Sequence, residues 1–208
     1  MNRETIACAM LACALAGCGG AERPSVLDAR ASAQLRAVLS KEPQLPDGFT
    51  NRPDQAWQMP FRQADRNCRA VLDPAGGRAP GQELTAQAAV TYRGDGLGEQ
   101  AGVGLARYAG DAAEDRLDDL AEALESCRVV RGSDGTDLRP QELEIEGDWD
   151  EAVAARLQGR LNGYPYTVDV VLSRVDDTLV SVVHTGMDAV DTARTRAVVE
   201  AVISLATA

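Results

Sequence analysis

The sequence predicts an α+β fold in which an antiparallel sheet of about five to six strands is covered by helices. Three observations predict it. Apolar residues alternate with period two in several short segments, those segments are joined by tight turns instead of crossover helices, and stretches of helical period stand between and after them. At 208 residues the chain suits one ordinary domain. With 45% hydrophobic but only 4% aromatic residues, its core has to be built from Val, Leu, Ile and Ala.

The elements follow in order. Ser25 and Asp28 resemble a capping box, and Leu27, Ala31, Leu35, Val38 and Leu39 recur at spacings of three and four, so a first helix is expected over about 26–40. Pro53, Pro60, Pro74, Gly76, Gly77 and Pro80 make the next stretch loop-rich, with a short helix near 62–72. Residues 83–93 place Leu84, Ala86, Ala88, Val90 and Tyr92 on one face of a strand, and a Gly-rich connection leads to a partner at about 102–109. Asp111, with Glu114 three residues on, starts an amphipathic helix whose stripe is Leu117, Leu120, Ala121 and Leu124 and which ends at Cys127. The turn Gly132-Ser133-Asp134-Gly135 precedes a short strand at 141–146.

The clearest pattern comes next. Val153, Ala155, Leu157, Gly159 and Leu161 alternate with polar residues, Asn162-Gly163 supplies a type I′ turn, and a second strand covers 164–174. A third strand at 178–185 follows the tight Asp176-Asp177 connection. Asp188 or Asp191 then caps a last helix carrying Ala197, Val198, Ala201, Val202 and Leu205.

The N-terminus carries an address. Residues 5–16 are apolar and shorter than the roughly 20 residues that cross a bilayer, so they read as the core of a signal peptide. Leu15-Ala16-Gly17-Cys18 follows and resembles the lipobox of bacterial lipoproteins. The resemblance implies cleavage after residue 17 and a diacylglyceryl group on Cys18, hence a signal peptide over 1–17, a short tether over 18–25 and one extracytoplasmic domain over 26–208. Two acyl chains meet the requirement for stable anchoring. A secretory signal with Cys18 incidental is the other reading. The expected location is the outer side of the cell membrane, within about 25 Å of it if helix formation starts near Ser25.

Cys8 and Cys13 leave with such a signal and Cys18 is alkylated, which leaves Cys68 and Cys127. In an oxidising compartment these two are expected to pair; two separate buried thiols are the alternative. With no CxxC spacing and only one histidine to complete a site, no metal is expected at these cysteines, and no cofactor is expected.

Charge and motifs exclude several functions. A net charge of -11 opposes binding to phosphate backbones, so no nucleic-acid partner is expected, and the body should be repelled by anionic lipid. No dinucleotide or Walker pattern is present. His184 is the single histidine, and in an extended strand it points away from Ser181, so it is read as an ordinary strand residue. Glu142-Leu143-Glu144-Ile145-Glu146 reads as a half-buried strand with a solvated face. Asp134, Asp137, Glu146, Asp148, Asp150 and Glu151 offer oxygen ligands for Ca²⁺, but at spacings unlike a full EF-hand loop. Arg93-Gly94-Asp95 is read as turn chemistry.

Several segments together resemble the extracytoplasmic sensor-domain lipoproteins of actinobacteria, which are similar to the extracellular domain of mycobacterial PknH-type serine/threonine kinases. They are Leu35–Ser40 with Leu45-Pro46-Asp47-Gly48-Phe49-Thr50, Cys68, the run from Tyr108 to Ala113 leading through a helix into Cys127, and the terminal strands and helix. The domains of that group carry two disulfides, whereas cysteines for one are left here. The resemblance implies a globular α+β module with a ligand-binding cleft, and it carries over no catalytic residue. The expected function is therefore a lipid-anchored, non-enzymatic binding or sensor-like module for a small ligand or an envelope protein. The alternative is an envelope hydrolase acting on lipid or cell wall, which requires ionisable residues converging in a cleft.

Overall fold

The structure is a computed structural model that describes residues 27–207 except 42, 62, 63, 133, 148, 150 and 188. The expected signal peptide, Cys18 and the tether lie outside the described residues, as do the cap candidates Ser25 and Asp188. Among the described residues no helix is long and apolar enough to cross a membrane.

The first helix, α1, spans Ala29–Leu39 and is capped by Asp28, whose carboxylate accepts from the Arg30 and Ala31 amides. Helix α2 spans Arg66–Leu72 and passes into a 3₁₀ turn over Asp73–Gly76 that contains Pro74. Strands β1 (Leu84–Arg93) and β2 (Gln100–Tyr108) form the expected hairpin. Helix α3 is Ala112–Ser126; its expected capping box does not form, since Asp111 makes no side-chain cap bond. Strands β3 (Val130–Arg131), β4 (Asp137–Glu142), β5 (Ala152–Leu161), β6 (Tyr164–Val175) and β7 (Thr178–Gly186) follow, and α4 (Thr192–Ala206) is capped by Asp191.

All seven strands belong to one antiparallel sheet in the order β1-β2-β7-β6-β5-β4-β3. The expected count of five to six falls short because β3 is a two-residue strand, too brief to show a period. The strand expected at 141–146 lies at 137–142. Leu143 is still buried in a core cluster and the partly buried Ile145 packs against that cluster, so burial of apolar residues produced the alternation without ladder pairing. A register shift between Leu84 and Ala86 also turns Leu84 to the face opposite Ala86, Ala88, Val90 and Tyr92.

The sheet carries a core on each face. On one, α2, the 3₁₀ turn and α3 cover Leu105's neighbour Ala106, Leu138, Leu157, Val168, Val170, Leu172 and Val183. On the other, α1 and α4 cover Val90, Val103, Val171, Val180 and Val182. The first is called the disulfide face below and the second the α4 face.

Candidate functional site

On the disulfide face, β2 places Gly102 and Gly104 two residues apart. A Cβ at Gly102 would lie 2.5 Å from the Trp57 Cβ, and one at Gly104 only 2.0 Å from the Pro74 carbonyl oxygen. Their lack of side chains lets the 54–61 segment and the 3₁₀ turn press directly on the sheet, which buries Trp57 and Phe61. Beyond Trp57 the chain leaves a cleft of about 650 Å³ lined by residues that include Gln55, Gln58, Thr91, Gln100, Tyr166 and Met187.

The antiparallel register explains the cleft's position. The β1–β2 and β5–β6 turns lie at the same end of the sheet, with the end of β7 between them. Gly98 from the first turn and Leu161 beside the second both line the cleft. Each turn also shows an exposed apolar side chain, Leu97 at 76% and Tyr164 at 63%. Tyr164 pairs across the ladder with Leu161 and lies two residues from Tyr166, so it stands on the cleft's face of the sheet. Asp54 and Arg93, which also line the cleft, form an ion pair with each other. Burial pushes the Tyr166 phenol up, with a hydrogen bond involving Thr185 acting the other way. A second cavity of about 700 Å³ lies between α3 and β4–β5, lined by Leu124, Arg139 and Glu142 among others. Among the described residues, neither Leu97 nor Tyr164 belongs to its lining or to the elements that form it.

Behind the same end of the sheet, on the α4 face, the structure assembles a polar network that periodicity did not show. Arg156 on β5 faces Asp169 on β6, which in turn faces His184 on β7. Arg156 donates to both Asp169 oxygens, at 2.6 and 2.8 Å, and also to the Val190 carbonyl and the Thr192 hydroxyl. Asp169 is fully buried, and the bidentate pair with Arg156 supplies the partners that a buried carboxylate needs. The Thr195 hydroxyl lies 2.7 Å from Asp169 Oδ2 and 2.9 Å from His184 Nδ1. His184 Nε2 is 3.0 Å from Glu99 Oε1. Phe49 packs on the His184 ring at 5.5 Å, and the Arg194 guanidinium sits 5.0 Å above the Phe49 ring. Burial pushes the His184 pKa down, while the hydrogen bond to Glu99 and the charges of Glu99 and Asp169 act upward.

His184 is thus a buried member of a network and not the ordinary strand residue expected. Ser181 does face the other way, and its hydroxyl is buried without a partner. Both His184 nitrogens are engaged on the face opposite the cleft, so the two sites do not share side chains. A sequence signal existed. Asp169 in Val168-Asp169-Val170 and His184 after Val182-Val183 are ionisable residues alone in apolar strands, and such residues must be paired when buried.

Cys68 and Cys127 are joined by a disulfide with a Cα–Cα distance of 4.7 Å. Asp65 braces it from both sides, accepting from the Cys68 amide at 2.8 Å and the Arg128 amide at 3.3 Å. Asp65, Cys68 and Cys127 are the one His/Cys/Asp/Glu cluster with metal-binding spacing among the described residues, and the disulfide already occupies its sulfurs. Of the expected Ca²⁺ ligands, Asp134 accepts from the Thr136 amide and Glu151 accepts from Arg174; Asp148 and Asp150 lie outside the described residues. In the Arg93-Gly94-Asp95 turn, Arg93 is held by Asp54 and Asp95 by Arg194.

No family model matches the chain, and no curated protein matches it. Among solved structures, the extracellular domain of PknH from Mycobacterium tuberculosis is similar with a TM-score of 0.54 and 14% identity, over 89% of this chain and 99% of that one. The described sheet and its flanking helices therefore share the fold of that extracellular domain.

Proposed function

We propose that this chain is a lipid-anchored extracytoplasmic binding or sensor-like module, without enzymatic activity, whose ligand enters the cleft between the β1–β2 and β5–β6 turns. The cleft carries the reading. Its charged lining residues, Asp54 and Arg93, neutralise each other, its remaining polar lining is amide and hydroxyl, and its two ends carry the exposed Leu97 and Tyr164. Such a site suits an uncharged small ligand or envelope-protein segment with both polar and apolar parts. The disulfide and the shared fold of an extracellular domain support the compartment, and the Leu15–Cys18 box supports a Cys18 anchor.

Native mass spectrometry of the protein purified from its membrane should show a bound small molecule or peptide. Gln58→Trp, which fills the cleft from an exposed position, should lose that adduct while keeping the same melting temperature. No adduct on either protein, or an equal one on both, overturns the cleft reading. Cys18→Ala should move the protein from the detergent phase to the aqueous phase; equal partitioning overturns the anchor.

A further inference from the structure

The Glu99–His184 contact can be read proton by proton. Asp169 is fully buried and receives two hydrogen bonds from Arg156, so it is an ionised acceptor. The single hydrogen of the Thr195 hydroxyl therefore goes to Asp169 Oδ2 at 2.7 Å, with the Asp191 carbonyl at 3.3 Å as the weaker acceptor; either way the hydrogen is not available to His184, and the Thr195 oxygen accepts from His184 Nδ1. Nδ1 thus carries a hydrogen. In a neutral imidazole Nε2 would then present a lone pair, and it lies 3.0 Å from the Glu99 carboxylate, which also presents lone pairs. That contact is a hydrogen bond only when one further proton is present.

Glu99 is one of the groups that hold its turn, beside the Met187 amide, which donates to the Leu97 carbonyl at 2.9 Å, and the Asp95–Arg194 ion pair. Glu99 Oε2 accepts from the Gly96 amide at 2.8 Å, while its Oε1 lies 3.2 Å from the Arg194 guanidinium as well as beside His184. Its neighbours Gly98 and Gln100 line the cleft. We propose that a proton taken up from solvent by the Glu99–His184 pair locks the β1–β2 turn onto β7 and α4, and that its release loosens this wall of the cleft.

The surrounding charges suit a switch. His184 is faced by Glu99 from the β1–β2 turn, by Asp169 from β6 with Arg156 of β5 behind it, and by Arg194 and Thr195 from α4. Asp95 pairs with Arg194 at the exposed edge, and Phe49 closes the ring face. Asp169 is matched by Arg156 and the half-buried Glu99 is shared between Arg194 and His184, so the imidazolium is an added charge whose hydrogen-bonded compensation is Glu99, with Asp169 acting through Thr195. Burial opposes that charge and Glu99 favours it. By linkage, whatever the Glu99 contact adds to proton affinity, the proton returns as strength of turn docking.

A single histidine makes the test direct. Imidazole ¹⁵N NMR of the full chain should show both ring nitrogens protonated at acid pH and loss of the Nε2 proton as pH rises. The Gly96 and Gly98 amide shifts should move with the same midpoint, and Gly96 amide exchange should quicken about tenfold above it, the scale of a modest coupling. Glu99→Gln should lower the His184 midpoint and leave the turn amides flat across it. Turn amides that ignore the His184 titration in the wild-type protein overturn the proposal, whether or not the variant folds; so does an unchanged midpoint in a folded Glu99→Gln protein. The consequence for binding rests on the cleft reading. The NMR readout needs no ligand, so an absent adduct with the turn titration intact counts against the cleft and not against the lock.

Discussion

The two faces of this sheet are held together by different physics. On the disulfide face the contacts are apolar and covalent: Val, Leu and Ala side chains meet α2 and α3, glycines admit Trp57 and the 3₁₀ turn, and one disulfide ties the end of α3 to α2. On the α4 face, at the end near the cleft, an acid, a histidine and an arginine lie in one row across three strands, and α4 adds a threonine and an arginine. Dispersion and a cross-link do not depend on pH. A hydrogen-bonded network of ionisable groups does, and it must be complete to be stable. The first face therefore supplies a rigid floor, and the second is where the fold can respond to its surroundings.

The largest expected effect breaks the covalent side. Replacing Cys68 and Cys127 together by Ala should cost about 4 kcal/mol in chain entropy for a loop of this length, since the bridged residues are 59 apart. Urea denaturation measures it, and the loss should be the same at pH 5 and pH 8. A loss smaller than that of the network variant below would reverse the ranking of the two faces.

A somewhat smaller effect is expected on the other side. Asp169→Ala strands the half-buried Arg156 and removes the Thr195 acceptor, at about 3 kcal/mol. Asp169→Leu combined with Arg156→Met should recover most of that loss, because a buried ion pair exchanged for apolar side chains of similar size is often neutral. If the double variant is no better than Asp169→Ala, the network holds α4 by more than mutual satisfaction of its charges.

The smallest effect sharpens the comparison. Burial holds the His184 pKa below its ordinary value of 6.5, so the folded protein binds this proton less well than the unfolded chain does. His184 then leaves stability unaffected above about pH 6.5 and lowers it as pH falls through and below that value. Folding stability measured across pH 5–8 should show this slope in the wild-type protein and in the disulfide variant alike. A proton that tightens the β1–β2 turn while weakening the whole fold is consistent, because Glu99 raises the affinity that burial has lowered.

Much of the fold was legible because period and turn chemistry are local. Asn162 and Gly163 adopt positive φ of 51° and 85° at the β5–β6 turn, as the type I′ reading requires. The hairpin of β1 and β2, α3 and the sheet-covering α4 likewise follow from residues within one element. The core-facing side of α4 was placed slightly off. Ala197 and Ala201 were expected inside with Val198 and Val202, whereas Thr195, Val198, Val199 and Val202 are the buried residues. A polar Thr at a core position breaks an apolar stripe, and its bonds to Asp169, His184 and the Asp191 carbonyl make that burial favourable.

What the sequence by itself determined is the α+β class and most of its elements, because apolar period, capping residues and turn chemistry act within short stretches; the pairing of Cys68 with Cys127 was an expectation with two separate thiols as its alternative, and the disulfide decides between them. What only the tertiary structure decided is which distant residues meet. Glu99 and His184 are 85 residues apart and Arg156 and Thr192 are 36 apart, and no local preference links them. Their meeting depends on strand order and register, since a shift of one residue in β6 or β7 would turn Asp169 and His184 to the opposite face. The cleft has the same origin: two turns remote in sequence share an end of the sheet only because β7 lies between β2 and β6.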